Sequence, residues 1–341
     1  MLEKLLTVII PAYNAQEFIR QCLESAVPCA EAELLDVIVV DDGSVDGTAA
    51  VARDYEARYP GVVRCISKEN GGHGSAINIG SAQARGKYLK VLDADDRLLQ
   101  GALEALLPKL AACGADIVLT PFVTEDYATG RRRAFNMNGA AIGRTYAMKE
   151  IEDGLPASAK WFTFHGIFFR TDYYLRLGLE ISERISYDDA EYLVLGSACA
   201  GTVFIDGTYA YLYTVGMDGQ SVSPANYARR ERHLRCVMGK LAAFYMSEKG
   251  NPQVAKGFLR CRIAMLLGTC EKVLLLYCKD RGYGRAAIRA LRRSLAGSDP
   301  RLLVGSGPRY LALLALNTLR VPAWLVEKGY GLMADMFGRI S

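Results

Sequence analysis

Several familiar signatures are missing from this chain, and each absence narrows what it can be. None of the nine cysteines (Cys22, Cys29, Cys65, Cys113, Cys199, Cys236, Cys261, Cys270 and Cys278) forms a CxxC pair or a Cys/His pair of zinc spacing. An odd, scattered set of this kind argues against a disulfide scaffold or a zinc ribbon and reads as small core residues in a reducing compartment. No window reaches the roughly 18 uninterrupted apolar residues of a spanning helix. Arg309 and Arg320 break the most apolar stretch near the C-terminus. Residues 1–11 lack the basic start and small-residue cleavage site of a secretory signal, so cytoplasmic residence is expected. There is no internal repeat and no low-complexity segment, which sets aside solenoids and fibrous chains.

What is present suits a large folded enzyme. A chain of 341 residues that is 51% hydrophobic and 23% charged can bury a substantial core and is long enough for two domains or one domain with an extension. Net charge is only +4, but it is unevenly placed. Residues 1–226 hold 20 Lys/Arg against 30 Asp/Glu, a balance of −10, and residues 227–341 hold 21 against 7, a balance of +14. A basic C-terminal part predicts an anionic surface as its partner, or else a basic helical cap.

Short β-branched runs alternate with helical patterns over the first third of the chain. Leu5–Ile10, Leu35–Val40, Val62–Ser67, Lys87–Leu92 and Asp116–Thr120 read as strands, and Ala15–Ala26, Thr48–Tyr59, Ser75–Ala84 and Ala102–Cys113 as the helices between them. The alternation predicts an α/β fold with a mainly parallel sheet flanked by helices, whose ligands sit at the carboxyl ends of the strands. Residues 120–226 lose that rhythm. Their dense aromatic run and late strand-like pieces, Val203–Ile205 and Tyr209–Tyr213, read as a second half that completes the sheet and forms the acceptor side. From Tyr227 the pattern is helical. The expected organisation is therefore an α/β domain over 1–226, in halves 1–119 and 120–226, followed by a basic helical extension over 227–341.

Three strands end in chemically capable residues. Asp93, Asp95 and Asp96 cluster after an apolar strand, and so much negative charge is unfavourable unless a cation neutralises it. All-oxygen ligands favour Mg²⁺ or Mn²⁺; an acidic loop with Asp96 capping the next helix is the plain alternative. Asp41 and Asp42 end a second strand, where an Asp can accept a base N–H. Tyr13 follows the first strand and could stack on a base or simply pack. Lys68-Glu-Asn-Gly-Gly72-His73-Gly-Ser75 is a glycine-rich turn that runs into a helix, a setting for a diphosphate, but it is neither a P-loop nor a GxGxxG fingerprint. His73 reads equally well as a polar loop residue or a ligand.

Taken in order and spacing, Thr7-Val-Ile-Ile-Pro-Ala-Tyr-Asn14, Val39-Val-Asp-Asp-Gly-Ser44, Asn70-Gly-Gly with Asn78-x-Gly80 and Arg85-Gly-Lys-Tyr88, and Leu92-Asp-Ala-Asp-Asp96 resemble the family 2 glycosyltransferases. A looser resemblance continues in Ser186-Tyr-Asp-Asp-Ala-Glu-Tyr192 and in Tyr211-x-Tyr213 with Gly219-Gln-Ser221. The resemblance implies a GT-A fold and an inverting transfer from a nucleotide diphosphate sugar, a UDP-sugar, to a hydroxyl of a glycan or lipid-linked acceptor in cell-surface polysaccharide synthesis. Position by position it implies that Pro11 and Tyr13 line the base, with Asp42 accepting the uracil N–H and Asp41 supporting that pocket. Lys68 and Gly72 belong to the nucleotide-sugar site, and Asp93 lies near the ribose and diphosphate. Asp95 would bind Mg²⁺ or Mn²⁺, and Asp189 would be the general base, with Asp188 competing for that role. Met217 departs from the pattern, which has a basic residue there. A nucleotidyltransferase, a two-carboxylate hydrolase and a catalytically silent sugar-nucleotide-binding scaffold are the alternatives. No basic glycine-rich signature follows the first strand and no acid partner for Asp189 is evident, while the scaffold reading leaves the metal-type acids and the base candidate unexplained.

For residues 227–341 the expectation is peripheral attachment to an anionic membrane at the inner face of the cell membrane, with no nucleic acid as partner. Arg285, Arg289, Arg292 and Arg293 fall on one side of a helix, and Tyr310–Leu316 and Val321–Val326 are apolar runs bracketed by Arg309, Arg320 and Lys328. A cap packed on the catalytic domain or a dimer interface is the rival reading.

Overall fold

The computed structural model describes residues 3–27, 31–217 and 223–326; Cys29, Gly219 to Ser221 and Lys328 lie outside them. Strand β1 (Leu6–Ala12) is buried along its whole length, as is β2 (Leu35–Asp41), which explains why both read as continuous apolar runs. They are followed by β3 (Val63–Ser67), β4 (Tyr88–Val91), β5 (Arg97–Leu98), β6 (Ile117–Leu119), β7 (Phe122–Asp126), β8 (Arg132–Phe135), β9 (Thr145–Ala147), β10 (Ile167–Arg170), β11 (Thr202–Ile205) and β12 (Tyr211–Val215). The main sheet has the order β3-β2-β1-β4-β10-β6-β11-β9. Strands β3, β2, β1 and β4 are mutually parallel, β10 runs antiparallel between β4 and β6, and β11 is parallel to β6.

The first four helices are α1 (Ile19–Ala26), α2 (Thr48–Arg58), α3 (His73–Ala82) and α4 (Ala102–Ala112). Helix α1 starts later than the pattern of Ala15–Ala26 predicts. The Ala15 N–H is taken by Thr48 Oγ1 (2.8 Å) and that of Gln16 by Asp46 Oδ2 (3.1 Å), so these residues lace the β1 loop to the β2 loop instead of opening a helix. A second difference concerns Tyr209–Tyr213. Expected to complete the main sheet, it contributes β12 to a separate four-stranded sheet of order β5-β12-β7-β8.

The chain divides into two compact units, Met1–Asp218 with Glu248–Leu259 and Gly219–Ser247 with Arg260–Ser341. The first also contains α5 (Met148–Asp153), α6 (Thr171–Arg176) and α7 (Asp189–Ala198). Its returning segment is anchored by Phe258, whose ring lies 4.7 Å from that of Phe162 and whose N–H donates to Glu152 (3.2 Å). The second unit is helical, built from α8 (Pro224–Arg229), α9 (Glu231–Ser247), most of α10 (Lys256–Lys272), α11 (Arg281–Ser298) and α12 (Gly307–Thr318). At its centre the fully buried Glu271 pairs with Arg292 and with Arg309 Nε (2.8 Å). Arg292, expected with Arg285, Arg289 and Arg293 on one exposed basic face, therefore turns inward, because a buried carboxylate requires a partner. Among the described residues no helix is long and apolar enough to cross a membrane.

At the amino ends of the parallel strands, buried Thr7 and Asp36 organise the approach to β4. Arg64 forks onto Asp36 through Nε and Nη2, each at 2.9 Å, and Thr7 Oγ1 donates to the same carboxylate (3.0 Å) while accepting the N–H groups of Arg85 (3.0 Å) and Gly86 (2.9 Å). Gly86 has no room for a side chain, since a Cβ there would lie 2.4 Å from Thr7 N and 2.6 Å from Leu6 C, both backbone atoms. Gly86→Ala should therefore cost about 1–3 kcal/mol through forced backbone displacement. Gly114→Ala, with open space around the added methyl, should stay within about 0.5 kcal/mol of the parent. Denaturant unfolding of the two variants measures both; equal stabilities would contradict the assigned approach of β4 to β1.

Candidate active site

Parallel pairing brings the carboxyl ends of β1, β2 and β4 to one edge of the sheet, where Pro11 and Tyr13, Asp41 and Asp42, and Asp93 to Asp96 all emerge. One ligand oxygen from each of Asp93, Asp95 and Asp96 can be chosen so that all lie within 4.8 Å of one another. The three carboxylates have different duties. Asp96 is buried and accepts the Tyr211 hydroxyl (2.6 Å) and the Thr214 N–H (2.7 Å), which ties the loop to β12. Asp93 faces His73. The Asp95 carboxylate takes no hydrogen bond from another residue among the described residues. Burial, then the neighbouring Asp93 charge, raises its carboxyl to about 6, and burial with Asp93 and Asp95 raises Asp96 well above the usual range. A divalent cation would reverse this imbalance, and an uncommitted carboxylate within an all-oxygen set suits Mg²⁺ or Mn²⁺. A cavity of ≈ 190 Å³ opens beside Asp95 and Asp96, and Met217, the departure noted in the sequence, is part of its wall.

His73 opens α3 and joins the acidic cluster to a second one. Its Nδ1 lies 2.7 Å from Asp188 Oδ2 and its Nε2 3.1 Å from Asp93 Oδ1. Burial opposes a charge on the ring, but Asp188 and then Asp93 outweigh it and raise the imidazole well above its ordinary pKa, so both nitrogens donate. Of the two base candidates, Asp188 is buried and engaged with His73, whereas Asp189, the first residue of α7, is exposed and meets only the adjoining Ala190 N–H, with no hydrogen bond to another side chain among the described residues. Crowding by surrounding protein atoms, followed by the Asp188 charge, raises the Asp189 carboxyl to about 6. Solvent at this exposed group moderates the shift without changing its direction.

The glycine-rich turn is shaped by what it touches. Gly72 has φ +88°, and a Cβ on Gly74 would lie 2.3 Å from the Ser182 carbonyl oxygen, so the turn presses against the segment leading to α7. Asn78 clamps the same segment, donating to the Ile181 carbonyl (2.9 Å) and accepting its N–H (2.8 Å). Asn14, Arg184 and Tyr187 hold positive φ at the rims of these loops, a conformation that surrounding contacts must maintain.

Asp42, 3% exposed, accepts Gly71 N–H (2.9 Å) and Lys68 Nζ (2.6 Å) on one oxygen and Gly72 N–H (2.7 Å) on the other. It thus fixes the glycine turn. Asp41 Oδ1 accepts the Ser44 N–H (3.1 Å), Pro11 is buried in β1, and Tyr13 stands 53% exposed. Hydrogen bonds accordingly connect Asp42, Lys68 and Gly72 through the turn to His73, and His73 to Asp93 and Asp188.

Two residues of the site escaped sequence reasoning. Lys90 is fully buried beneath the acidic loop, donates to the His165 carbonyl (2.7 Å) and lies 4.8 and 4.7 Å from the ring centres of Phe168 and Tyr211. Burial lowers its ammonium to about 7, against the pull of Asp93 and Asp96. Its only sequence signal is a lone lysine in an apolar strand. His165, lowered by burial to about 4, is a neutral ring stacked 4.0 Å from Tyr213; nothing in its local sequence marks it.

These shifts set a pH dependence. A carboxyl near 6 when folded and near its ordinary value of about 4 when unfolded makes the metal-free fold bind an extra proton between those values. The contribution of this carboxyl therefore rises as pH falls through 6, and His73, whose raised pKa favours the fold at lower pH, acts in the same direction, while His165 and Lys90, whose pKa values are lowered by burial, oppose it in part. The melting temperature without metal should climb by a few degrees, on the order of 1–3 kcal/mol, from pH 7.5 to 5.5. Mn²⁺ should raise the pH 7.5 value and flatten the trend. Asp95→Asn should raise the metal-free melting temperature at pH 7.5 and remove the Mn²⁺ response; an unchanged Mn²⁺ response in thermal melts would exclude Asp95 as a ligand.

Comparison with known proteins bears on the family and the fold. The family model described as "Glycosyl transferase family 2" matches residues 7–174. The uncharacterized glycosyltransferase EpsJ of Bacillus subtilis (strain 168) is 26% identical over 246 residues, which is 71% of this chain and 70% of that protein. Further relatives are matched over 15% to 60% of their own lengths. Among solved structures, residues 1–349 of S. aureus TarS in complex with UDP-GlcNAc superpose with a TM-score of 0.53 at 18% identity, over 86% of this chain and 91% of that one. The mannosyltransferase PcManGT of Pyrobaculum calidifontis, in complex with GDP-Man and Mn²⁺, gives 0.52 at 20% identity over 92% and 86%. At these identities the structural likeness concerns the fold, which is of the GT-A type expected from the sequence. Through residues 7–174, where the ordered loop motifs and the family model coincide, the chain belongs to glycosyl transferase family 2.

Proposed function

We propose that this glycosyltransferase moves a hexose-type sugar from a nucleotide diphosphate donor, a UDP-sugar, to a hydroxyl of a glycan or lipid-linked acceptor, with inversion, in cell-surface polysaccharide synthesis. The observation that supports the reading is the chain of contacts Asp93–His73–Asp188, which joins the acidic cluster to the start of α7, where Asp189 follows Asp188. The donors named for the two structural neighbours, UDP-GlcNAc and GDP-Man, support a nucleotide-sugar ligand.

Asp95, with Asp93, would hold Mg²⁺ or Mn²⁺, which when bound neutralises charge on the departing diphosphate. The remaining roles belong to the protein's own side chains. Tyr13 and Pro11 line the base, and Asp42 Oδ2, which takes a single protein N–H, retains acceptor capacity for a pyrimidine N–H while Asp41 supports the loop. Lys68 and the Gly71–Gly72 amides set a positive border to the diphosphate. Asp189 takes the acceptor hydroxyl's proton as the new bond forms, and a carboxyl raised toward neutrality suits that task. The engagement of Asp188 with His73 favours Asp189 as the base and gives Asp188 a positioning role. A single displacement of this kind inverts the anomeric centre. The basic residues 227–341 would attach the enzyme peripherally to an anionic membrane at the inner face of the cell membrane, where a lipid-linked acceptor is presented.

Asp189→Asn should lower transfer by a factor on the order of 10² to 10⁴ with UDP affinity retained. Asp188→Asn should lower transfer and also shift the pH profile, since it releases His73. Steady-state transfer assays with calorimetric UDP titrations read both effects; full activity in Asp189→Asn would end the assignment.

A further inference from the structure

A second cavity lies wholly within the second unit. It measures ≈ 820 Å³, and Lys279, Arg281, Arg285, Arg289 and Arg320 line it against a single carboxylate, Asp280. Asp280 is itself occupied, accepting the Tyr283 N–H (2.9 Å) at the start of α11. Elsewhere in this unit several arginines meet acids: Arg235 pairs with Glu231 (2.7 Å), Arg301 with Asp299 (2.7 Å), and Arg292 and Arg309 with Glu271. Among the described residues none of the five cavity cations has a carboxylate within ion-pair distance.

Two of the five are held in place by neutral groups. Arg281 donates to the carbonyls of Leu275 (2.9 Å) and Val321 (3.0 Å), and Arg285 to Asn317 Oδ1 (2.7 Å). Asn317 is fully buried and donates in turn to the Leu275 carbonyl (2.6 Å). These contacts orient the guanidinium groups without cancelling their charge, an arrangement that suits the several oxygens of a phosphate. Lys279, Arg289 and Arg320 are exposed and make no side-chain hydrogen bond among the described residues.

Helix α12 borders the cavity and carries apolar side chains beyond it. Leu314 and Thr318 of α12 line the cavity, and Leu311, Ala315 and Leu319 fall on the same side of that helix, at spacings of three and four residues. Leu311 is 63% and Leu319 75% exposed, and Trp324, just beyond, is 62% exposed. A free phosphate would make no use of such a stripe. A phosphate attached to hydrocarbon would.

We propose that this cavity binds the phosphate headgroup of an anionic lipid, with the stripe of α12 set against the adjoining hydrocarbon. The inference rests on the reading of residues 227–341 as membrane-facing and adds to it a defined site.

Flotation of the full chain with phosphatidylcholine vesicles, with and without phosphatidylglycerol, tests it through a charge-matched pair. R289Q and R293Q each remove one exposed cation of α11, but only Arg289 lines the cavity. R289Q should weaken capture on phosphatidylglycerol vesicles roughly fivefold, and K279Q/R289Q further, while R293Q changes it by less than about twofold. Leu319→Ser should also weaken capture. Metal-dependent donor hydrolysis and melting temperature should be unchanged in all four. Equal losses in R289Q and R293Q would overturn the cavity and leave diffuse membrane attraction standing. No capture of the parent chain at low salt would overturn both readings. Calorimetric binding of inorganic diphosphate that is lost in R289Q, with vesicle capture intact, would show a site for free phosphate and overturn the lipid assignment.

Discussion

The site depends on one imidazole held between two carboxylates. His73 stands at the junction of the glycine-rich turn and α3, and Asp188 lies 115 residues further along the chain at the start of α7. With Asp93 on its other nitrogen, the ring joins the β4 loop to the α7 loop and fixes the distance between the cation-type acids and Asp189. Like charges crowded at one sheet edge would otherwise push these loops apart. A protonated ring supplies the compensating charge and, with two donors in fixed directions, the geometry as well.

Around that bridge the protein spends small residues and buried polar atoms on position. Gly72 and Gly74 let the turn press against residues 182 to 184, Asn78 closes the contact with a paired amide, and Asp42 holds the turn from the β2 side. Asp96 is used as a strut to β12, which leaves Asp95 as the uncommitted acid of the cluster. Beneath it Lys90 adds positive charge without a direct ion pair, held by backbone carbonyls and aromatic rings.

The helical unit sorts its charges by a different rule. Glu271, withdrawn from water, recruits Arg292 and Arg309, so the basic composition of the C-terminal part is not all presented outward. Five cations without a carboxylate partner among the described residues gather at one cavity, where Asn317 and main-chain carbonyls orient Arg285 and Arg281 without neutralising them.

Much of the fold was legible because parallel strands buried on both faces leave continuous apolar runs, and because three of the expected strand ends carried their own polar blocks. Pro11 to Asn14, Asp41 to Ser44 and Asp93 to Asp96 could be placed at one sheet edge from alternation alone, and the order of those blocks was enough to indicate the family. Local sequence also determined that α3 follows the glycine turn and that α11 forms. Contacts between residues far apart in sequence decided the rest. Whether His73 is a loop residue or a bridge depends on Asp188, and whether Asp188 or Asp189 is uncommitted depends on His73, so neither question has a local answer. In the same way Arg292 lies on a helical face that looks exposed until Glu271 is placed opposite it, and β12 reads as one more strand until Asp96 and β7 draw it into a second sheet. Periodicity records which residues meet water or core, but the pairing of charges and hydrogen-bonding groups across the chain is a property of three-dimensional packing, and at this site it assigns the roles.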